Sequence, residues 1–386
     1  MATLTYRTAG ESHGPALVSL IEGLPAGLTL DMELINSELR RRQGGYGRGA
    51  RQKLETDTAA FLTGVRRGQT IGSPLVVQVA NRDSRLDETP ELLKPRPGHA
   101  DLAGATKWLL TDARTTLERA SARETANRVA VGAIAKCLLR EFAIEVVGFV
   151  VSIGTVVGRA SADLSATDLV KLRDASEVHC PDTAASAAMI ELIKQYKIEG
   201  DTVGGVVETR VYGCPIGLGS CVHWDWKLDS RIAAEVMGIQ AIKGVEIGMG
   251  FESARTPGSA LHDPILFDPV QRGTPNLGFH RASNNAGGLE GGMTNGQPIV
   301  VRAAMKPIAT LLKKDMPTVN LQTKAAGSAD YERSDVCAVP AAGVVVENAI
   351  AFEIARSLVE KFGGDSLREM KANYENYLAA ARQLGA

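Results

Sequence analysis

Near the N-terminus a carboxylate, a hydroxyl and an imidazole stand in consecutive positions, Glu11, Ser12 and His13, between Gly10 and Gly14. Histidine is the side chain whose ordinary titration lies closest to neutral pH, so such a group can give and take protons. Flanking glycines let the backbone turn tightly and come close to a ligand. The plain alternative is a strand-to-strand turn that happens to carry a histidine. A second histidine follows in Pro95-Arg96-Pro97-Gly98-His99-Ala100-Asp101, where two prolines stiffen the approach. By itself His99 is equally consistent with a residue that merely precedes a helix.

Cations gather in two further stretches. In Arg40-Arg41-Arg42-Gln43-Gly44-Gly45-Tyr46-Gly47-Arg48-Gly49-Ala50-Arg51 no acid appears until Glu55. Three arginines at a helix end suit the negative pole of its dipole and need mean nothing more. The glycine segment beyond them, with Arg48 and Arg51, suits closure over an anion. In Arg119-Ala120-Ser121-Ala122-Arg123-Glu124 the spacing of Ser121 and Glu124 has the form of a capping box before a long apolar helix. The free N–H groups at such a helix start attract anions. A well-capped core helix is the plain reading there. Later, Lys306-Pro307-Ile308-Ala309-Thr310 puts a cation and a hydroxyl on a stiff turn. Residues 280–292 are rich in Gly and Asn, which fits either a flexible linker or a backbone surface that meets a ligand. They do not have the strand–GxGxxG–helix form of a dinucleotide fold.

Elements that position these residues follow from periodicity and turn chemistry. Asp31 can cap a helix through residue 42, with Leu34, Ile35 and Leu39 on one face. Strands are expected at 3–8, 16–21, 53–65, 74–80, 144–157, 202–212, 245–251 and 299–305. Helices are expected from about 101 to 110, from 121 to 138 with one buried stripe, and over 161–172, 181–196, 229–241, 340–362 and 367–384. No fixed repeat and no polar linker divides the chain, so one domain over 1–386 is expected.

Bulk composition narrows the function classes. Of 386 residues 44% are hydrophobic and 23% charged, close to ordinary globular usage, and the net charge is −1 from 43 basic and 44 acidic residues. A near-neutral balance argues against a general nucleic-acid binder, although the Arg/Gly tract at 40–51 keeps an RNA-binding module as an alternative. No apolar run is long enough for a signal peptide or a membrane span. The five cysteines are odd in number, scattered and without a C-x-x-C pair, which fits reduced thiols rather than disulfides or a metal. A cytoplasmic location is expected.

Taken in order, Gly10 to Gly14, Arg40 to Gly49, Arg96 to Asp101, Arg119 to Glu124 and Arg333-Ser334-Asp335 resemble the chorismate synthase family, and the resemblance covers nearly the whole chain. It implies an α+β fold, a single-domain β-α-β sandwich with a helical core between two antiparallel sheets, assembled as a homotetramer. The activity implied is a carbon–oxygen lyase: anti-1,4-elimination of phosphate from 5-enolpyruvylshikimate 3-phosphate to give chorismate. Reduced FMN is required without net redox change, with NADPH a candidate indirect reductant. Catalytic roles are implied for His13 (proton to the leaving phosphate), His99 (protonation of the reduced flavin) and Asp335 with Ser12 or Ser121 (the proton at flavin N5). Substrate binding is implied for Arg42, Arg48, Arg96 and Arg333, with Arg123 beside them. Flavin contacts are implied for Arg119, Ala120, Ser121, Gln240, Ala241, Gly291, Lys306, Pro307, Ile308, Ala309, Thr310 and Arg333. No metal, nucleic acid or membrane is implied. Ala120, Gln240 and Ala309 stand where relatives often have Ser, Asn and Ser, so those flavin contacts must differ. A phosphate-handling lyase without flavin is the other enzymatic alternative.

Overall fold

Alternating apolar residues in the first eighty positions build one antiparallel sheet. A computed structural model describes residues 3–49, 55–311, 316–329 and 335–384. Strands β1 (Thr5–Ala9) and β2 (Ala16–Glu22) form a hairpin around the Glu11-Ser12-His13 turn, with Thr5 opposite Glu22 and Ala9 opposite Val18. Helix α1 (Met32–Gln43) follows, with the Asp31 carboxylate accepting the Glu33 and Leu34 N–H groups. Strands β3 (Ala59–Thr63) and β4 (Leu75–Ala80) complete the sheet in the order β1-β2-β4-β3. Leu17 and Ile21 of β2 and Leu75, Val77 and Val79 of β4 point to one buried face, the period-two pattern of a half-covered sheet.

Helices cover that face. Short helices α2 (Asp101–Lys107) and α3 (Arg114–Ala120) lead to α4 (Thr125–Arg140), which packs on β2 and β4. The single buried stripe expected for α4 is instead burial nearly all round, Val131, Ala135, Lys136 and Leu139 included. The cause is a second layer on its other side, described below.

The second sheet is antiparallel too. It is built from β5 (Glu145–Ile153), β6 (Gly205–Tyr212), β7 (Ile242–Ile247) and β8 (Ile299–Met305), in the order β7-β8-β6-β5, with the two-residue strand Val156–Val157 paired to the outer edge of β5. Between β5 and β6 run α5 (Ala166–Asp174) and α6 (Thr183–Glu199), the latter closed by Gly200 in the left-handed conformation. Val147 and Phe149 of β5 pack with Ala166 and Leu169 on the outer face, while Val146 and Val150 join the main core. Helix α7 (Leu228–Met237) precedes β7. Helix α8 (Val339–Phe362) starts with Pro340 in its first turn and is buried along almost its full length. It packs against α4 on one side and β5 and β6 on the other. Helix α9 (Leu367–Ala381) ends the described chain. The order of layers is therefore sheet, helices, sheet, with one apolar cluster running from Leu4 through Leu378.

Local differences from the sequence expectations have physical reasons. Of the expected strand over 53–65, residues 53 and 54 lie outside the described residues, and from Glu55 the strand begins only at Ala59 because Glu55 and Asp57 turn inward to meet buried cations. Ser165 caps α5, which starts five residues later than expected. The expected helix over 229–241 stops at Met237, and the chain then turns through Ala241 at φ +67°. Ser121 and Glu124 do not form a capping box. Ser121 Oγ accepts the Arg123 N–H at 3.3 Å, but Glu124 is claimed by Thr8 Oγ1, Gln240 Nε2 and Arg128 Nε. The reciprocal box is at Ser366 and Glu369, before α9. Residues 280–292 are ordered on their own chain: Asp263 accepts from Ser283 Oγ and from the Asn285 and Ala286 N–H groups.

Candidate active site

The three arginines at the end of α1 have three different fates. Arg40 stays in solvent with Glu33. Arg41 turns into the helical layer, where it meets Glu38 and Glu347 at 2.7 and 2.9 Å. Arg42 points to a cavity of about 770 Å³. That cavity is bounded by the β1–β2 turn, the segment after α1, the segment before α2, the start of α4, the α7–β7 turn and the turn after β8.

Nearly all the residues singled out in the sequence meet there. Ser12, His13, Arg42, Arg48, Arg96, His99, Ala120, Ser121, Arg123, Gln240, Ala241, Lys306, Pro307, Ile308, Ala309, Thr310 and Asp335 all line the cavity. Arg119 does not. Its guanidinium lies outside and donates to the carbonyls of Thr8 and Gly10, fastening the end of β1. Gly291 sits in the exposed turn between Glu290 and Met293 and is not part of this wall. Arg333 falls outside the described residues, as do Ala50, Arg51 and Ser334. The Gly- and Asn-rich stretch at 280–292 likewise lines no part of this cavity. Its glycines serve close approach of chain to chain: a Cβ at Gly287 would lie 2.3 Å from the Gly248 nitrogen.

Each cavity arginine is held by a carboxylate; Asp335 is singled out in the sequence and Asp101 closes the motif that starts at Pro95, whereas Asp57 stands out in neither way. Asp57, with a wholly buried side chain, accepts Arg42 Nη2 through Oδ2 and Arg123 Nη1 through Oδ1, both at 2.6 Å. Arg123 also donates from Nε to Asn81 Oδ1 at 2.8 Å. Burial pushes the Arg42 guanidinium below its ordinary value, and the Asp57 carboxylate works against that shift. Arg48 Nη1 lies 2.7 Å from Asp335 Oδ2. Arg96 donates from Nε to Asp101 Oδ2 at 2.8 Å and from Nη2 to Oδ1 at 3.1 Å. One acidic partner per surface arginine is common, but here four cations converge from separate segments. Their inward faces suit a ligand with several negative charges, for which the planar guanidinium offers two parallel donors.

Both histidines are backed by buried carboxylates through Nδ1. His13 Nδ1 is 2.9 Å from Glu118 Oε1, and Glu118 Oε2 accepts the His13 backbone N–H at 2.9 Å. His99 Nδ1 contacts Asp101 Oδ1. Burial pushes the Asp101 carboxyl up, but hydrogen bonds from His99 and Arg96 outweigh it and hold the group well below the usual carboxylate range. An ionised Asp101 can only accept, so the His99 proton sits on Nδ1. The 3.0 Å approach of Arg96 Nη2 to His99 Nδ1 then follows from two donors sharing Asp101 Oδ1. In both cases Nε2 is the nitrogen left for chemistry. Ser121 Oγ donates to Ser12 Oγ at 3.1 Å, so the two hydroxyls flanking the His13 turn are in series.

The lining also includes apolar surface from Ile239, Ala338, Ala341, Ala342 and Val345, and the Gln240 amide. Gln240 Nε2 donates to Glu124 at 3.1 Å, and its Oε1 is buried without a partner. Apolar lining together with an unused acceptor suits a planar heteroaromatic ring with N–H groups. Among the described residues no cluster of His, Cys, Asp or Glu is arranged to hold a metal, and no helix is long and apolar enough to cross a membrane.

Convergent arginines, two oriented imidazoles and apolar surface in one cavity are the equipment of an enzyme for a small anionic substrate. Comparison with known proteins narrows this to one family. The family model described as chorismate synthase matches residues 4–359. Relatives named chorismate synthase from Desulforamulus reducens and Geobacter sulfurreducens are 54% and 53% identical, spanning 99% and 98% of this chain and 100% and 99% of theirs. A crystal structure of chorismate synthase superposes with a TM-score of 0.81 at 41% identity, covering 99% of both chains. The chain belongs to the chorismate synthase family. It is accordingly a carbon–oxygen lyase of the shikimate pathway, and the sandwich of helices between antiparallel sheets is that family's fold.

Proposed function

We propose that this chain converts 5-enolpyruvylshikimate 3-phosphate to chorismate by anti-1,4-elimination, with reduced FMN in the same cavity. The observation that carries this is the convergence of Arg42, Arg48, Arg96 and Arg123 with two carboxylate-held histidines around one 770 Å³ space. The substrate has one phosphate and two carboxylates, a charge set that matches the guanidinium array. Gln240, Ala241 and the turn 306–310 join the apolar lining where the flavin ring would lie, and Arg333 would add a cation to phosphate and flavin. Reduced FMN, when bound, supplies electron density transiently and takes up the hydrogen lost from ring carbon 6, with no net redox change.

The chain's own groups do the rest. The arginines orient the substrate so that the phosphate faces the β1–β2 turn. His13 Nε2 gives its proton to the leaving phosphate. His99, its Nδ1 proton fixed by Asp101, presents Nε2 to the cavity at the flavin edge. Ser121 and Ser12 form a two-hydroxyl path for a proton, with Asp335 as the carboxylate acceptor in the same cavity. We further propose one domain over the full chain, a homotetrameric assembly, a cytoplasmic location and NADPH as an indirect reductant. The test is an anaerobic assay of chorismate absorbance and phosphate release with photoreduced FMN, oxidised FMN and no flavin. Turnover only with reduced flavin is expected. Equal turnover without flavin would favour the flavin-free lyase, and no turnover in any arm would overturn the assignment.

A further inference from the structure

One residue outside every recognised motif grips the catalytic turn from three directions. Glu118, on α3, is 2% exposed. Its carbonyl accepts the Ser12 N–H at 3.0 Å, its Oε2 accepts the His13 N–H at 2.9 Å, and its Oε1 lies 2.9 Å from His13 Nδ1. Burial pushes the Glu118 carboxyl up, but the hydrogen bonds from His13 and the charge of Arg114 outweigh it and leave the group below its ordinary value. An ionised carboxylate offers only lone pairs, so Nδ1 must carry a proton wherever this contact is made. The remaining nitrogen, Nε2, lies 3.7 Å from Asp83 Oδ2, and His13 itself lines the cavity.

Charged groups around the ring come from several elements. Glu118 approaches from α3, with Arg114 Nη1 3.9 Å from its Oε1. Asp83 approaches from the segment after β4 and is itself paired with Arg85 at 2.7 Å. Glu11 lies two residues before His13 in the same turn. Two carboxylates touch the ring directly, and each arginine nearby is already tied to one of them.

We propose that Glu118 is a positioning residue that fixes a proton on His13 Nδ1 and so presents Nε2–H to the leaving group. The proposal rests on the reading of His13 as proton donor given above. In the step concerned the C–O bond breaks and its electron pair leaves with the phosphate oxygen. The Nε2 proton passes to the phosphate, while the Nδ1 proton stays between His13 and Glu118. Glu118 thereby stabilises the imidazolium before the step and selects the neutral tautomer after it.

The test compares wild type, Glu118→Gln and Glu118→Asp, with the His13 signals assigned by their loss in His13→Ala. The first readout is 15N NMR of the imidazole without ligands, which reports which ring nitrogen holds the proton. Wild type is expected to show Nδ1 protonated, Glu118→Gln a shift of population towards Nε2–H, and Glu118→Asp a pattern close to wild type. The second readout is the pH profile of turnover with photoreduced FMN. Removing an opposite charge at this distance should move the basic limb to lower pH by roughly 1–3 units, with KM little changed and partial rescue by Asp. Should Glu118→Gln not fold, Glu118→Asp carries the test, with the same displacement of the limb at smaller size. Unaltered tautomer signals and an unaltered pH profile in the folded variants would overturn the proposal and leave Glu118 a purely structural residue. Wild-type turnover in His13→Ala would instead overturn the donor role on which it rests.

Discussion

Arg48 and Asp335, far apart in the chain, are joined in the cavity wall by a 2.7 Å ion pair, and the Gly49 N–H donates to the other Asp335 oxygen at 2.6 Å. Both side chains are mostly shielded, so the pair is screened less than a surface bridge. A polyanion entering the cavity competes with Asp335 for the same guanidinium. On the proposed placement of substrate against Arg48, its binding would be linked to release of the Asp335 carboxylate.

That linkage sets the expectation for position 48. Arg48→Lys keeps the charge but loses the two-pronged donor face, and substrate use should weaken. Arg48→Ala should do worse, costing about 2–5 kcal/mol of substrate interaction, as truncation of one partner in a desolvated pair does. The loss should appear mainly in KM. Steady-state kinetics with saturating reduced FMN checks it, and wild-type constants in both variants would remove Arg48 from the substrate site.

Asp57 holds two cavity arginines at once, and its side chain is wholly buried. Asp57→Asn removes the counter-charge that Arg42 and Arg123 share, leaving Glu55 at 3.7 Å from Arg123 Nη2. Breaking a buried pair in this way costs about 3–5 kcal/mol. We expect a lower urea midpoint than wild type with little change in slope. A midpoint equal to wild type would show that neighbouring carboxylates such as Glu55 take over the role.

How far these features could be read beforehand depends on how local their causes are. The cap at Asp31 and most of the period-two strands follow from neighbouring residues, and they appear where the sequence puts them. His13, His99 and the arginines stood out because clustered cations and glycines are uncommon in a helix or strand. Two of their carboxylate partners did not stand out: Asp57 and Glu118 are single acids whose importance comes from neighbours brought together only by the sheet-helix-sheet packing. The capping-box reading at Ser121 failed for the same reason, since Thr8, Gln240 and Arg128 reach Glu124 across the fold. Burial of α4 on all sides was also invisible locally, because it is imposed by α8.

The helical layer contains a charged cluster with a pH signature. Glu347 contacts Lys136 and lies 2.9 Å from Arg41 and 3.6 Å from Arg173. Burial pushes its carboxyl up, but the three cations outweigh this and hold it far below its unfolded value of about 4.5. Glu38, bonded to the same Lys136, is lowered as well. A carboxyl depressed on folding contributes stability that is present above its unfolded pKa and is lost as pH falls towards the folded value. Wild type should therefore lose stability steadily below about pH 4.5. Glu347→Gln should be less stable at pH 7, and the gap to wild type should narrow as the pH is lowered. Urea midpoints across pH 3 to 7 check this, and a gap that stays constant with pH would show that Glu347 is not ionised in the cluster.

The contact between α4 and α8 offers a case where two known effects oppose each other. Gly132 lies within α4, and helix propensity alone favours alanine there by about 1 kcal/mol. A Cβ at that position would stand 2.2 Å from the Asn348 carbonyl oxygen and 2.4 Å from the Asn348 Cβ. The obstacle is largely backbone of a helix that is itself buried nearly all round, so it cannot turn aside as an exposed side chain would. Relief requires the two helices to separate, which loosens the layer holding both sheets. Overpacking of this kind costs about 1–3 kcal/mol, and more where neither element can shift. The steric term therefore wins over propensity, and Gly132→Ala should lower the melting temperature rather than raise it. Because α4 also carries Thr125 at the cavity wall, the same shift should weaken substrate binding. Calorimetry and KM measured on one preparation test both halves, and a variant more stable than wild type would mean that the helices part at little cost.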